Sequence, residues 1–172
     1  MRLTTILPAI TLLAAGCAAT GSGSVPSPQE SNTHKTHQAE VHERGDQAMG
    51  FSQKAATHHF RLTPEGGAIE VEANDPKDTA GRDKIRMHLE HISQMFAEGD
   101  FDAPMFIHDQ TPPGVPVMQR LKADIKYEFE RTERGARVRI KTSNEEALAA
   151  VHDFLRFQIK EHETGDPVEI QN

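Results

Sequence analysis

Residues 57–73 read THHFRLTPEGGAIEVEA, and this stretch decides the fold class. Apolar and polar side chains alternate over 57–63 and again over 68–73, which is the period of a half-buried β-strand. The segment between them, PEGG at 64–67, has the composition of a tight turn. The stretch therefore predicts an antiparallel β-hairpin with one face against a protein core.

An amphipathic helix is predicted to follow the hairpin, from Asp78-Thr79 at its cap to about Ala97, with Gly99 ending it. Its apolar side chains recur at helical spacing, at Ile85, Leu89, Ile92 and Phe96. A Pro-interrupted stretch, FDAPMFIHDQTPPGVPV, comes next, and a short helix is predicted over 117–123.

The second half of the domain repeats this order. A second hairpin is predicted over 125–131 and 136–142, and a closing helix over 144–163. The apolar face of that helix contains Leu148, Val151, Leu155 and Ile159. Ile85 and Leu89 correspond to Val151 and Leu155 at a constant offset of 66. We therefore predict an α+β fold made of a duplicated ββα unit, with a four-stranded antiparallel sheet and two helices packed on one face. Two unrelated hairpin–helix units would give the same fold class.

The amino terminus has the pattern of an export signal. Arg2 precedes a short apolar run over 6–13, and small residues at 14–16 stand directly before Cys17. This resembles the lipobox of bacterial lipoproteins, although Ala14 stands where Leu is usual. The resemblance implies a signal peptide over 1–16, lipidation of Cys17 and a protein anchored to a membrane of the cell envelope, facing the periplasm or the outside. The alternative is an ordinary signal peptide with an incidental cysteine.

Residues 17–48 are interpreted as the lipidated cysteine and a flexible, histidine-containing tether. Residues 18–33 are rich in Gly, Ser and Pro, and 34–48 have no convincing apolar stripe. As a coil, the 33 residues from 18 to 50 would reach about 30 Å. The folded domain is accordingly predicted to cover 49–172.

Composition limits the function. The chain has a formal net charge of −7 and no Trp, so it lacks the basic surface that nucleic-acid binding requires. Its single cysteine cannot form an internal disulfide, and a closed structural zinc site with thiolate ligands is disfavoured.

Ten histidines are the main compositional feature. On the first long helix, His88, His91 and Met95 share a strip at the shoulder of the buried face. The following stretch adds Met105 and His108, further on lies Met118, and His58 or His59 of the first strand could join the same site. Imidazole and thioether together suit copper, and zinc could still bind an open site of histidines and carboxylates.

Other interpretations of these residues stay open. Met95 could be a gap-filling core side chain. The two helix histidines could be partly buried and satisfied by a carboxylate such as Asp83 or Glu90. The tether histidines, His34, His37 and His42, could capture metal or serve only as a soluble spacer. His152 and His162, on the closing helix, are interpreted as structural.

From Met49 to about Asp166 the chain resembles a widespread bacterial family, some of whose members are called aspartate carbamoyltransferase. The matching segments are MGFSQ, THHFRL, GGAIEVEANDPKDTA, RDKIRMHLEHI, APMFIHDQTPPGVPVM, ERGARVRI and ALAAVHDFLRFQIKEHETGD. Carbamoyltransferases are longer, doubly wound two-domain enzymes with a Ser-Thr-Arg-Thr phosphate loop, and this chain has no such motif. The resemblance implies the domain boundary and no mechanism.

Three functions are compatible with these observations. The leading hypothesis is a non-enzymatic envelope lipoprotein that sequesters or delivers a transition metal, copper first, through His88, His91, Met95, Met105 and His108, with His58 as a further ligand. The second is an interaction module that docks a protein partner, its histidines incidental. The third is a small enzyme that uses the Pro-rich loop.

Overall fold

The computed structural model describes residues 28–172, with side chains from residue 35 onward. The predicted signal peptide and Cys17 lie outside these residues. The described helices are α1 (Pro28–Met49), α2 (Thr79–Glu98), α3 (Asp102–His108), α4 (Val115–Arg120) and α5 (Glu145–Glu161). The strands are β1 (Ala56–Thr63), β2 (Gly66–Ala73), β3 (Ile125–Arg131) and β4 (Gly135–Thr142). In this part of the chain, no helix is both long enough and apolar enough to cross a membrane.

The four strands form one antiparallel sheet in the order β1-β2-β4-β3. The two hairpins meet where β2 pairs with β4, with Ile69 opposite Val138. Because side chains alternate between faces along a strand, Phe60, Ile69 and Val138 share the inner face. The prediction of an α+β fold with a four-stranded antiparallel sheet is confirmed.

Helices α2 and α5 pack on the inner face of the sheet, each directly after its own hairpin. Asp78 caps α2 by accepting from Gly81 N–H, and Asn144 caps α5 by accepting from Glu146 and Ala147 N–H. Gly99 ends α2 at φ +80°, in the left-handed conformation that glycine adopts without strain. The apolar stripes predicted for both helices are buried in the core, except that Leu148 is half-buried.

The outer face of the sheet is polar and crossed by ion pairs. Glu70 accepts from Arg137 at 2.8 Å and lies 3.8 Å from Arg61, and Arg139 donates to Glu130 at 2.6 Å. Because the outer face is occupied by these ion pairs, the apolar core lies against the inner face of the sheet.

The Pro-interrupted stretch between the two halves contains two short helices, α3 and α4. The predicted short helix over 117–123 corresponds to α4 and the 3₁₀ turn over Lys122–Asp124. Helix α3 was not predicted, because Pro104 and the small number of residues conceal its periodicity. It places the His108 side chain in the interior, at 2 % exposure.

Helix α1 corrects the prediction of a flexible tether over residues 28–48. Val41, Gly45 and Met49 are buried on its inner side at a spacing of four, and the helix packs against α3. Polar contacts add to this packing, since Arg44 Nε donates to the Ile107 carbonyl at 2.8 Å. Because α1 packs against α3, the folded part begins well before Met49. The sequence conceals the buried stripe of α1 because one of its three positions is glycine.

Candidate functional site

A cavity of about 70 Å³ lies between the inner face of the sheet and helices α2, α3 and α5. Most of its wall is apolar, with Phe60, Ile92 and Phe154 among the lining side chains. Four imidazoles interrupt this wall, those of His58, His88, His108 and His162. A larger groove of about 660 Å³ runs past Glu65, Lys126 and Lys141, but it is lined mainly by exposed polar side chains. The histidine cavity is therefore the candidate site.

Strand β1 separates its two adjacent histidines. His58 shares the inner face with Phe60 and points into the cavity, as the alternation of a strand requires. His59 lies on the other side, where its Nδ1 is 2.9 Å from Asp166 Oδ1. The expectation that only one of the two could join a common site is confirmed.

Three of the cavity histidines, His58, His108 and His162, form a close group that we call the histidine trio. The ring centres of His58 and His162 are 5.6 Å apart, and those of His108 and His162 are 5.1 Å apart. The fourth, His88, is in edge contact with Phe51, with ring centres 5.8 Å apart. The trio brings together residues from β1, α3 and the end of α5.

His108 is held by one nitrogen and unpartnered at the other. Its Nε2 lies 3.1 Å from Gln158 Oε1, and because that carbonyl oxygen can only accept, Nε2–H is the donor. Among the described residues, His108 Nδ1 has no hydrogen-bond partner, and it lies 3.9 Å from Glu161 Oε2, beyond hydrogen-bond distance. Glu161 Oε2 is instead engaged by His37 Nε2 of α1 at 2.8 Å.

Unpartnered buried nitrogen atoms recur around the cavity. Besides His108 Nδ1, they are His58 Nε2 and Gln158 Nε2, and both residues line the same space. Buried polar atoms without a partner are rare in native proteins because each retains its full desolvation cost. Their concentration here marks the cavity as a place where a small polar group, water included, could be held.

Burial keeps the cavity imidazoles neutral. Desolvation, followed by repulsion from neighbouring histidines, lowers the pKa of His58 to about 4 and that of His88 to about 4. The same causes lower the pKa of His162 well below its usual value. Desolvation also lowers the pKa of His108, although the hydrogen bond to Gln158 opposes the shift. At neutral pH these rings therefore carry free nitrogen lone pairs.

The structure brings only part of the predicted ligand set to the cavity. His58, His88 and His108 line it, whereas His91, Met95 and Met105 do not. His91 is exposed on α2, and Met95 is half-buried. Met105 is half-buried on α3, where its sulfur accepts from Thr111 Oγ1 at 3.7 Å. Among the residues whose side chains are described, no three His, Cys, Asp or Glu side chains form a preassembled metal site.

Sequence reasoning missed three lining residues, His162, Gln158 and Met49. His162 follows Ile159 by three residues and Leu155 by seven, so it continues the apolar stripe of α5, and that spacing could have indicated its burial. Met49 is the last residue of α1, whose packing the sequence did not reveal. His152, by contrast, is structural as expected, since its ring bonds to the Thr63 carbonyl at 2.9 Å.

The chain matches no protein-family model, no curated protein and no solved structure. The resemblance to a family with members called aspartate carbamoyltransferase therefore stays a sequence-based prediction. The candidate site is interpreted from its own chemistry.

Proposed function

We propose that this protein is a lipid-anchored protein of the bacterial cell envelope that binds a transition-metal ion at the histidine trio, with copper as the leading candidate. It would sequester or deliver that metal outside the cytoplasm. The observation that supports this most directly is the proximity of three rings, of which His108 is buried and His58 and His162 are half-buried, with unpartnered nitrogen atoms on His58 and His108 among the described residues.

The spacing of the trio suits shared coordination. A ring whose nitrogen binds a metal at ~2.0–2.1 Å has its centre about 3.2 Å from that metal. Two such rings at a tetrahedral angle would have centres about 5.2 Å apart. The observed separations, 5.6 Å and 5.1 Å, bracket this value.

The protonation state also supports metal binding. A metal binds the neutral imidazole, so a protonated ring must lose its proton first. The lowered pKa values of the cavity histidines keep these rings neutral at neutral pH and extend that state to mildly acidic pH. Gln158 further holds His108 in the tautomer whose Nδ1 is free, as the outer hydrogen bond of a metal-ligating histidine commonly does.

Copper is proposed before other metals because the wall contains a thioether, that of Met49, beside the imidazoles. Zinc is the alternative, since three histidines and an open position are also a common zinc arrangement. Met95 and Met105, which the sequence favoured as thioether ligands, do not line the cavity. A single site would therefore draw on His58, His108 and His162, with His88 and Met49 beside it.

Calorimetric titration of the purified, metal-free protein with Cu(I), Cu(II) and Zn(II) tests the proposal. We expect stoichiometric binding to the wild type and its loss in His162→Gln. His91→Gln is the matched control, because His91 is exposed on α2 and should leave binding unchanged. Absence of binding to the wild type, or equal loss in the control, would contradict the proposal.

An interaction module has less support from the structure. The large exposed apolar side chains are Met87, Phe106, Val168 and Ile170, and they belong to α2, α3 and the carboxyl-terminal segment. Single exposed apolar residues are normal on protein surfaces. The outer face of the sheet is covered by ion pairs.

A further inference from the structure

Helix α1 contacts both elements that enclose His108 at the inner end of the histidine cavity. Arg44 Nε donates to the carbonyl of Ile107, the residue before His108, at 2.8 Å. His37 Nε2 lies 2.8 Å from Glu161 Oε2, and that oxygen is 3.9 Å from His108 Nδ1. These contacts tie α1 to α3 and to the end of α5. Movement of α1 would therefore remove contacts on two sides of His108.

The inner end of the cavity is closed to solvent while α1 is docked. The His108 side chain has no exposed surface, and its Nδ1 has no hydrogen-bond partner among the described residues. Gln158 Nε2, which lines the same cavity, is also buried. By contrast, the other cavity histidines, His58, His88 and His162, are half-buried. A ligand that reaches His108 can therefore enter only after part of the wall moves.

Helix α1 is attached less extensively than the other elements around His108. From residue 35 to residue 49, only Val41, Gly45 and Met49 are buried, which is three of 15 residues. Helix α3 buries three of its seven residues, and α5 buries eight of its 17. Val41 also lies outside the main hydrophobic core, whereas Met49 belongs to it. Segments with few buried apolar contacts open locally without unfolding of the whole domain, so α1 is the element that can move.

We infer that α1 is a movable lid on the histidine cavity. Its outer part, residues 37–44, leaves α3 and α5 and exposes His108, while Met49 keeps the carboxyl end of the helix in place. Opening replaces the polar contacts of α1 by contacts with water, so its main cost is the exposure of Val41. The inference goes beyond the proposed metal site, because it concerns access to His108 whatever ligand the cavity holds.

Modification of the purified, metal-free protein with diethyl pyrocarbonate, which acylates accessible neutral imidazoles, tests the inference when each histidine is followed by mass spectrometry. We expect Val41→Ser to increase the modification rate of His108 at least about tenfold, because the variant weakens the apolar attachment of the lid. Val41→Ser changes no charge. Ala39→Ser introduces the same residue at an exposed position of α1, so this matched control should behave like the wild type.

Two other histidines distinguish opening of the lid from unfolding of the domain. His91 is exposed on α2 and should be modified at the same rate in all three proteins. His152 is buried against the first hairpin, away from the lid, and should stay protected if only α1 moves. An unchanged His108 rate in Val41→Ser would overturn the inference. Parallel acceleration of His108 and His152 would overturn it too, because α1 would then not move separately from the domain.

Hydrogen exchange of the wild type provides a test that depends on no variant. We expect the backbone amides of residues 37–44 to exchange at least about tenfold faster than those of residues 85–92, which belong to α2. Equal protection of the two segments would overturn the inference. Neither measurement uses a metal ion, so failure of the proposed metal site would leave both results unchanged, and the two proposals fail separately.

Discussion

Acidification from pH 7 to pH 5 should destabilise the metal-free protein through its buried histidines. His58 and His88 have pKa values lowered to about 4 in the folded protein, first by burial and then by neighbouring imidazoles. In the unfolded chain each titrates near 6.5. Between these values the unfolded state binds more protons than the folded state, so the free energy of unfolding falls as the pH falls.

The size of the effect follows from the two pKa values. For one histidine, the linkage relation gives a loss of about 2 kcal/mol between pH 7 and pH 5. Two independent rings would lose about 4 kcal/mol, an order-of-magnitude figure because the two rings also repel each other when protonated. The lowered carboxyl pKa values of Glu130 and Asp166 act mainly at lower pH, because those groups normally titrate near 4.

Urea unfolding at pH 7, 6 and 5, in the presence of a chelator, measures this dependence. The His88→Gln variant has no ionisable group at this position. Between pH 7 and pH 5 its free energy of unfolding should therefore fall by about 2 kcal/mol less than that of the wild type. Gln94→Ala, at an exposed and non-ionisable position of the same helix, is the control and should follow the wild-type curve. A wild-type loss below about 1 kcal/mol, or identical pH curves for wild type and His88→Gln, would refute the reasoning.

Two further predictions concern the fold. Gly114 has φ +84°, and a Cβ there would lie 2.1 Å from the Ala150 carbonyl oxygen, so Gly114→Ala should lower the free energy of unfolding by at least about 2 kcal/mol, measured by urea unfolding. Gly165 also has a positive φ, but no atom lies within 4 Å of a Cβ placed there. Gly165→Ala should therefore lower the free energy of unfolding by only about 1 kcal/mol, and equal losses in the two variants would contradict the contact argument. Asn144→Ala removes the cap of α5 and should cost about 1 kcal/mol in thermal or urea unfolding, and no loss would show that the cap is dispensable.

The fold was predictable where local patterns are strong. Both hairpins and the helices α2 and α5 follow from alternation over two residues or recurrence over three and four, and these periods are local properties of the chain. The pairing of β2 with β4 was not predicted, because the repeated ββα order does not specify which strands of the two hairpins meet. Helix α1 was not predictable in this way, because its buried side contains Val41, Gly45 and Met49 and depends on contacts with α3.

The candidate site was predictable only in part, for a related reason. Sequence patterns place residues on one helix face, which is why His88 and His91 were grouped, yet only the former reaches the cavity. The trio combines β1, α3 and α5, which are distant in sequence, and no local period reports such convergence. Gln158 has no distinguishing sequence signal, since its role depends on the orientation of the His108 ring.

The location of the bound metal ion tests the central claim most directly. Crystals of the copper-loaded protein, measured at the copper absorption edge, would give an anomalous peak that marks the ion. The proposal predicts one strong peak in the cavity, about 2.0–2.1 Å from a ring nitrogen of each of His58, His108 and His162. A peak confined to exposed histidines such as His91, or no peak after loading, would contradict it.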